Sequence, residues 1–75
     1  MDIVKVFGSN VRRYRKQRGL TQEKLAERCN LAQTYISDIE RFVRSIALEN
    51  VQRIADALEI DTYLLFIDNG QEVNK

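Results

Sequence analysis

The side chains richest in hydrogen-bonding capacity cluster over a few positions: Gln33, Thr34, Tyr35 and Ser37, followed by Arg41 and Arg44. A glutamine amide can bond bidentately to adenine, and a threonine methyl can touch the methyl of thymine. Hydroxyls serve base edges or phosphates, and arginine reaches phosphate or a guanine edge. The chemistry on offer is recognition. Bond-making chemistry has little to work with, because the chain has no histidine, one cysteine (Cys29) and no clustered carboxylates or activated nucleophile at usable spacing. The expectation is a non-enzyme with no metal, no cofactor and no small-molecule substrate.

Charge gives the recognition residues a setting. The net charge is +1, from 12 basic and 11 acidic residues. By position, residues 1 to 24 hold seven basic residues against Asp2 and Glu23, a local +5, whereas residues 54 to 75 hold Lys75 against five acids, a local −4. One end would attract a polyanion and the other avoid it. Charge alone leaves a solvated helix face equally open. Arg12, Arg13, Lys16 and Arg18 form the candidate basic face, with Arg12 the candidate phosphate contact among them.

The elements that must position these residues are helical. There is no proline and there are three glycines, so few breakers interrupt 75 residues. A single all-α domain spanning 1–75 is expected, too small to have the core of a two-domain protein. Ile3, Phe7, Val11 and Tyr14 recur at helical steps over residues 3 to 18, with Gly19 as the stop. Thr21 is a good N-cap for a second helix to about Arg28, with Leu25, Ala26 and Cys29 inward and Asn30 closing it in a left-handed turn. Cys29 there is a packed small hydrophobe. A third helix covers about Gln33 to Arg41, with Ile36 and Ile39 buried. A fourth, about Ala47 to Leu58, carries Leu48, Val51, Ile54, Ala55 and Leu58 as its core stripe, with Ser45 an alternative cap. A fifth short helix, about 61–67, is apolar on every side, and the tail 68–75 is polar and loose.

Helices 2 and 3 match the helix-turn-helix, whose first helix lies across the DNA backbone and whose second enters the major groove. Counting from Gln22, the positions that must be apolar, small or turn-forming fall on Leu25, Ala26, Asn30, Leu31, Ile36 and Ile39. Ala26 is informative, since only a small side chain lets the two helices cross closely. Gln33, Thr34, Tyr35, Ser37 and Arg44 are then base-contact candidates, and Gln22, Arg41 and Arg12 phosphate candidates. Gln22 gains from opening helix 2, where backbone amides favour an anion. Asp38 would be repelled by phosphate unless it accepts from a cytosine amino group or a neighbouring arginine, and it stays outside the contact set.

Gly19-Leu20-Thr21-Gln22, Leu25-Ala26, Tyr35-Ile36-Ser37, Ile39-Glu40-Arg41 and Ile54-Ala55-Asp56-Ala57-Leu58 together resemble the Cro/repressor-type (Xre) helix-turn-helix family. The run Leu31 to Arg41 and the bare five-helix length look most like the controller proteins of restriction-modification systems. The resemblance implies a compact five-helix lambda-repressor-like DNA-binding domain. It also implies a structural ion pair between Arg15 and Glu40, and a Gln22 that clasps the DNA backbone and can brace the first recognition-helix residue. Phe42 departs from the family, which commonly has glycine there; its ring would pack under helix 4 or touch the sugar-phosphate backbone.

Tyr63, Leu65, Phe66 and Ile67 offer more apolar surface than a small monomer should leave uncovered, and a symmetric dimer contact is the economical account. The expectation is a cytoplasmic homodimeric transcriptional regulator on a palindromic double-stranded DNA operator, with RNA polymerase a further candidate partner and no membrane. A phage-type repressor, an antitoxin regulator and a helical protein-interaction module that does not bind DNA are the alternatives.

Overall fold

Local signals at the helix ends set the frame of the computed structural model, which describes residues 1–68. Asp2 caps the first helix, α1 (Ile3–Gln17), its carboxylate accepting from the amides of Val4 and Lys5. Gly19 follows with φ +70, the left-handed geometry that lets the chain leave the helix. Thr21 Oγ1 accepts from the Lys24 amide at 3.0 Å and starts α2 (Gln22–Cys29), as expected. Asn30 closes α2 at φ 59, ψ 44, the conformation a short polar side chain tolerates. The recognition-helix candidate, α3, runs Gln33–Glu40, and α4 runs Leu48–Leu58. Ala47 precedes α4 without a side-chain cap bond, and Ser45 does not serve instead. The expected fifth helix is a 3-10 turn, Thr62–Phe66, so among the described residues the fold is four α-helices and one tight turn. The expected loose tail, 68–75, lies outside the described residues beyond Asp68.

One core holds the elements together. Val11 of α1, Leu25 of α2, Ile36 of α3, Ile54, Ala55 and Leu58 of α4 and Leu65 of the 3-10 turn have no solvent exposure. Ala26 is also buried at the α2–α3 crossing, where its small size is needed. Cys29 is a buried free thiol, as its inward motif position requires. Burial pushes that thiol up to about 11, against the opposing charge of Arg53.

Three apolar expectations are corrected. Leu48 is 82% exposed, not core: it occupies the first turn of α4, beyond the edge of the packed layer. Ile3 is likewise exposed at the open end of α1. Leu65 is fully buried within one chain and so belongs to the core instead of to a dimer face. Phe66 is half-buried with its ring 5.3 Å from that of Phe7, so part of its apolar surface is also satisfied internally. Tyr63 and Ile67 do remain exposed.

A buried polar side chain ties the 3-10 turn to α1. Asn10 Nδ2 donates to the carbonyls of Leu65 and Ile67, each at 2.9 Å. Asn10 sits one turn from Phe7 on the buried side of α1. The sequence reading missed it; a polar side chain beside the Phe7–Val11 stripe is the one signal that could have marked it as a brace.

Gly8 is the point of closest approach between α1 and the end of α3. A Cβ there would collide with the Ile39 carbonyl oxygen and lie 2.9 Å from the Phe42 ring. Phe42 itself takes φ 66, the region glycine occupies without cost, which explains the family's preference at this position. Its ring packs over α1 at Gly8.

Candidate nucleic-acid interface

The α3 helix rests on the core through Ile36 and Ile39 and turns its other side outward. Gln33 and Thr34 are exposed at its N-terminal end, where a recognition helix presents side chains to base edges. Ser37 is half-buried one turn further on. Tyr35 is also half-buried, and its hydroxyl accepts from Asn50 Nδ2 of α4 at 3.1 Å. That tether was not legible in the sequence, because nothing local links residues 35 and 50.

An ionic lock sets the angle of α3 against α1. Arg15 donates to Glu40 twice, from Nε to Oε2 at 2.7 Å and from Nη2 to Oε1 at 2.9 Å, the bidentate arrangement the resemblance implies. Its third donor, Nη1, bonds the Leu20 carbonyl at 2.8 Å. Donating to the Glu40 carboxylate raises the pKa of the Arg15 guanidinium above its ordinary value, against the opposing cost of burial. Glu40 is one of two buried polar residues among the described residues, so the pair is structural and adds nothing to the basic face.

Gln22 joins this lock. Its Nε2 donates to Glu40 Oε1 at 3.1 Å, so at the start of α2 it braces the glutamate that closes α3, not the first residue of that helix. It is half-buried and adjoins the exposed amides of α2.

The arginines expected on the DNA side are sorted by their partners. Arg41 and Arg44 both turn to Asp38: Arg41 Nη2 donates to Oδ1 at 2.8 Å and Arg44 Nε to Oδ2 at 3.4 Å. Their hydrogen bonds hold the Asp38 carboxyl below the usual carboxylate value, Arg41 contributing most. Arg44 also lies over the Tyr35 ring, 4.9 Å from its centroid. Arg12 and Lys16 are exposed on α1. Arg18 leaves the basic face: its Nε donates to the Leu58 carbonyl at 2.7 Å and Nη2 to the Glu59 carbonyl at 3.2 Å, capping the end of α4. Arg13 lies over the Tyr14 ring and donates to Asn10 Oδ1.

An apolar groove lined by Ile3, Phe7, Leu48, Val51 and Phe66 reaches up to Arg44 at its edge. No group of residues suited to a metal ion occurs among the described residues, and none of their helices is long and apolar enough to cross a membrane.

This arrangement is a helix-turn-helix with its recognition helix outward, and residues 11–65 match the helix-turn-helix family model. The chain belongs to that family of DNA-binding transcriptional regulators. Its relatives include the control protein C.BamHI of Bacillus amyloliquefaciens, 46% identical over 56 residues that cover 73% of this chain and 69% of the relative. The control protein C.SmaI of Serratia marcescens is 39% identical over 70 residues, covering 93% of this chain and 83% of that one. Among solved structures, the restriction-modification controller protein C.AhdI of Aeromonas hydrophila superposes with a TM-score of 0.82 at 36% identity, covering 84% of this chain and 96% of that chain.

Proposed function

We propose that this chain is a homodimeric regulator that binds a palindromic operator and controls the genes of a restriction-modification system. The observation that carries the reading is the outward α3 face, with Gln33 and Thr34 exposed at its N-terminal end and its angle fixed by the Arg15–Glu40 lock. In this reading α3 enters the major groove. Gln33, Thr34, Tyr35, Ser37 and Arg44 meet bases, and Gln22, Arg41 and Arg12 meet phosphates. The two copies place their α3 helices in successive major grooves, about 34 Å apart.

The dimer face in this reading combines exposed Tyr63 and Ile67 with the exposed part of Phe66. A monomer gains nothing from leaving large apolar side chains in water. The acidic residues 56 to 68 then lie toward the dimer axis, away from most phosphates. RNA polymerase bound beside the operator is the further partner this reading admits, and the cytoplasm its compartment.

A mobility-shift assay with genomic fragments, including DNA upstream of the chain's own gene, tests the reading. The expected result is a sequence-specific shift that weakens steeply with salt through counterion release. No specific shift at low salt sinks it, and sedimentation as a monomer under binding conditions sinks the dimer.

A further inference from the structure

Asp38 stands outside the contact set, yet both arginines that follow it turn to its carboxylate. Arg44 is held on two sides. Its Nε, not its terminal nitrogens, bonds Asp38, and its guanidinium lies over the Tyr35 ring. Tyr35 is in turn fixed by Asn50 of α4. A carboxylate on Nε and a ring against one face set the plane of a guanidinium. The two Nη groups at its outer edge are the fork that matches guanine O6 and N7.

We propose that Asp38 is the discrimination residue of this interface: it aims the Arg44 fork at a guanine and offsets arginine charge that would otherwise bind any phosphate. The proposal rests on the reading of the chain as a sequence-specific DNA-binding protein. Phosphate attraction is indifferent to sequence, so removing the carboxylate strengthens binding to every duplex. Freeing Arg44 from its plane weakens the one contact that identifies a guanine. Both effects lower the ratio of operator binding to random binding. A surface acid with no positioning role behaves differently: its removal raises both affinities together and leaves the ratio alone.

The test begins with an operator selected by the wild-type protein from random duplexes. Wild type, Asp38→Asn, Arg44→Lys and the double variant are then titrated against that operator, single-base-pair variants of it and a random duplex, over a range of salt. Asp38→Asn is expected to bind the random duplex more tightly and with a steeper salt dependence. Its operator-to-random ratio should fall roughly tenfold, in the range a lost bidentate base contact gives. The loss should map to the same base pair as that of Arg44→Lys, and the double variant should discriminate no worse than Arg44→Lys alone. An unchanged ratio, a loss at a different base pair, or additive losses overturns the proposal. Asp38→Ser stands in if the asparagine variant does not fold. A wild-type protein that selects no sequence at all defeats the proposed function instead.

Discussion

The side-chain amide of Asn10 donates to the carbonyl of Leu65 at 2.9 Å, across 55 positions of chain. The same nitrogen serves Ile67, so one buried residue of α1 satisfies two carbonyls of the segment that carries the candidate dimer face. Asn10→Ala should cost about 2 to 4 kcal/mol, since it leaves buried acceptors without a donor and opens a small void. A urea melt measures the loss. A change under about 0.5 kcal/mol would mean that water replaces the amide freely and that the brace is idle.

Alanine in mid-helix normally outperforms glycine by about 1 kcal/mol. At Gly8 the opposite is expected, because the added methyl meets the Ile39 carbonyl, which is backbone and cannot swing aside. Gly8→Ala should therefore lose about 1 to 3 kcal/mol net, lowering the melting temperature by several degrees. A variant as stable as wild type would show that α1 and the end of α3 can move apart cheaply.

The Arg15–Glu40 lock predicts a pattern across a pair of substitutions. Glu40→Ala strands a mostly buried guanidinium and should cost about 3 to 5 kcal/mol. Replacing both residues with apolar side chains of similar volume should cost less than Glu40→Ala alone, because no charge is then left unpaired. Chemical denaturation of the single and double variants decides between this and simple additivity. Gln22 adds a further readout: it bonds the same carboxylate, so Glu40→Ala should also change its side-chain amide signals in NMR spectra.

Cys29 gives a pH dependence with a definite sign. Its folded value, about 11, lies above the ordinary 9.0, so the unfolded thiol ionises first as pH rises. The stability contributed by the neutral buried thiol is complete below pH 9 and is lost between about 9 and 11. Wild type should lose more stability than Cys29→Ala when urea melts at pH 8 and pH 10.5 are compared. At pH 8 an alkylating reagent should modify the native thiol only through opening of the fold.

Much of the fold was legible because its signals are local. Thr21, Asn30 and Gly19 mark helix ends by chemistry that acts within a few residues, and the helices end there. Ala26 marked the tight crossing of α2 and α3 for the same reason. What periodicity could not supply is which part of a stripe has something to pack against. Ile3 and Leu48 fit their patterns and lie in solvent at helix ends, whereas Leu65, in a segment apolar all round, turns inward. The outward residues of α3 were legible from motif spacing. Their couplings were not, because Tyr35 to Asn50 and Gln22 to Glu40 are contacts between elements. Arg18 illustrates the limit of counting charge, since the carbonyls it caps belong to residues 40 and 41 positions away.

The Asn10 brace also bears on how the chain is made. Translation proceeds at about 5 to 20 residues per second and domains fold as units, so a nascent chain reaching only to α4 has Asn10 in place with neither of its carbonyl partners, and lacks Leu65 in its core. Such an intermediate leaves the Phe7 ring without its Phe66 partner, open to chaperones and proteases, until the 3-10 turn has emerged. Variants weakened at this junction should therefore reduce the amount of protein in a cell before they reduce the affinity of the molecules that survive. For a regulator whose effect follows its own concentration, a substitution far from DNA can then shift the timing of gene expression.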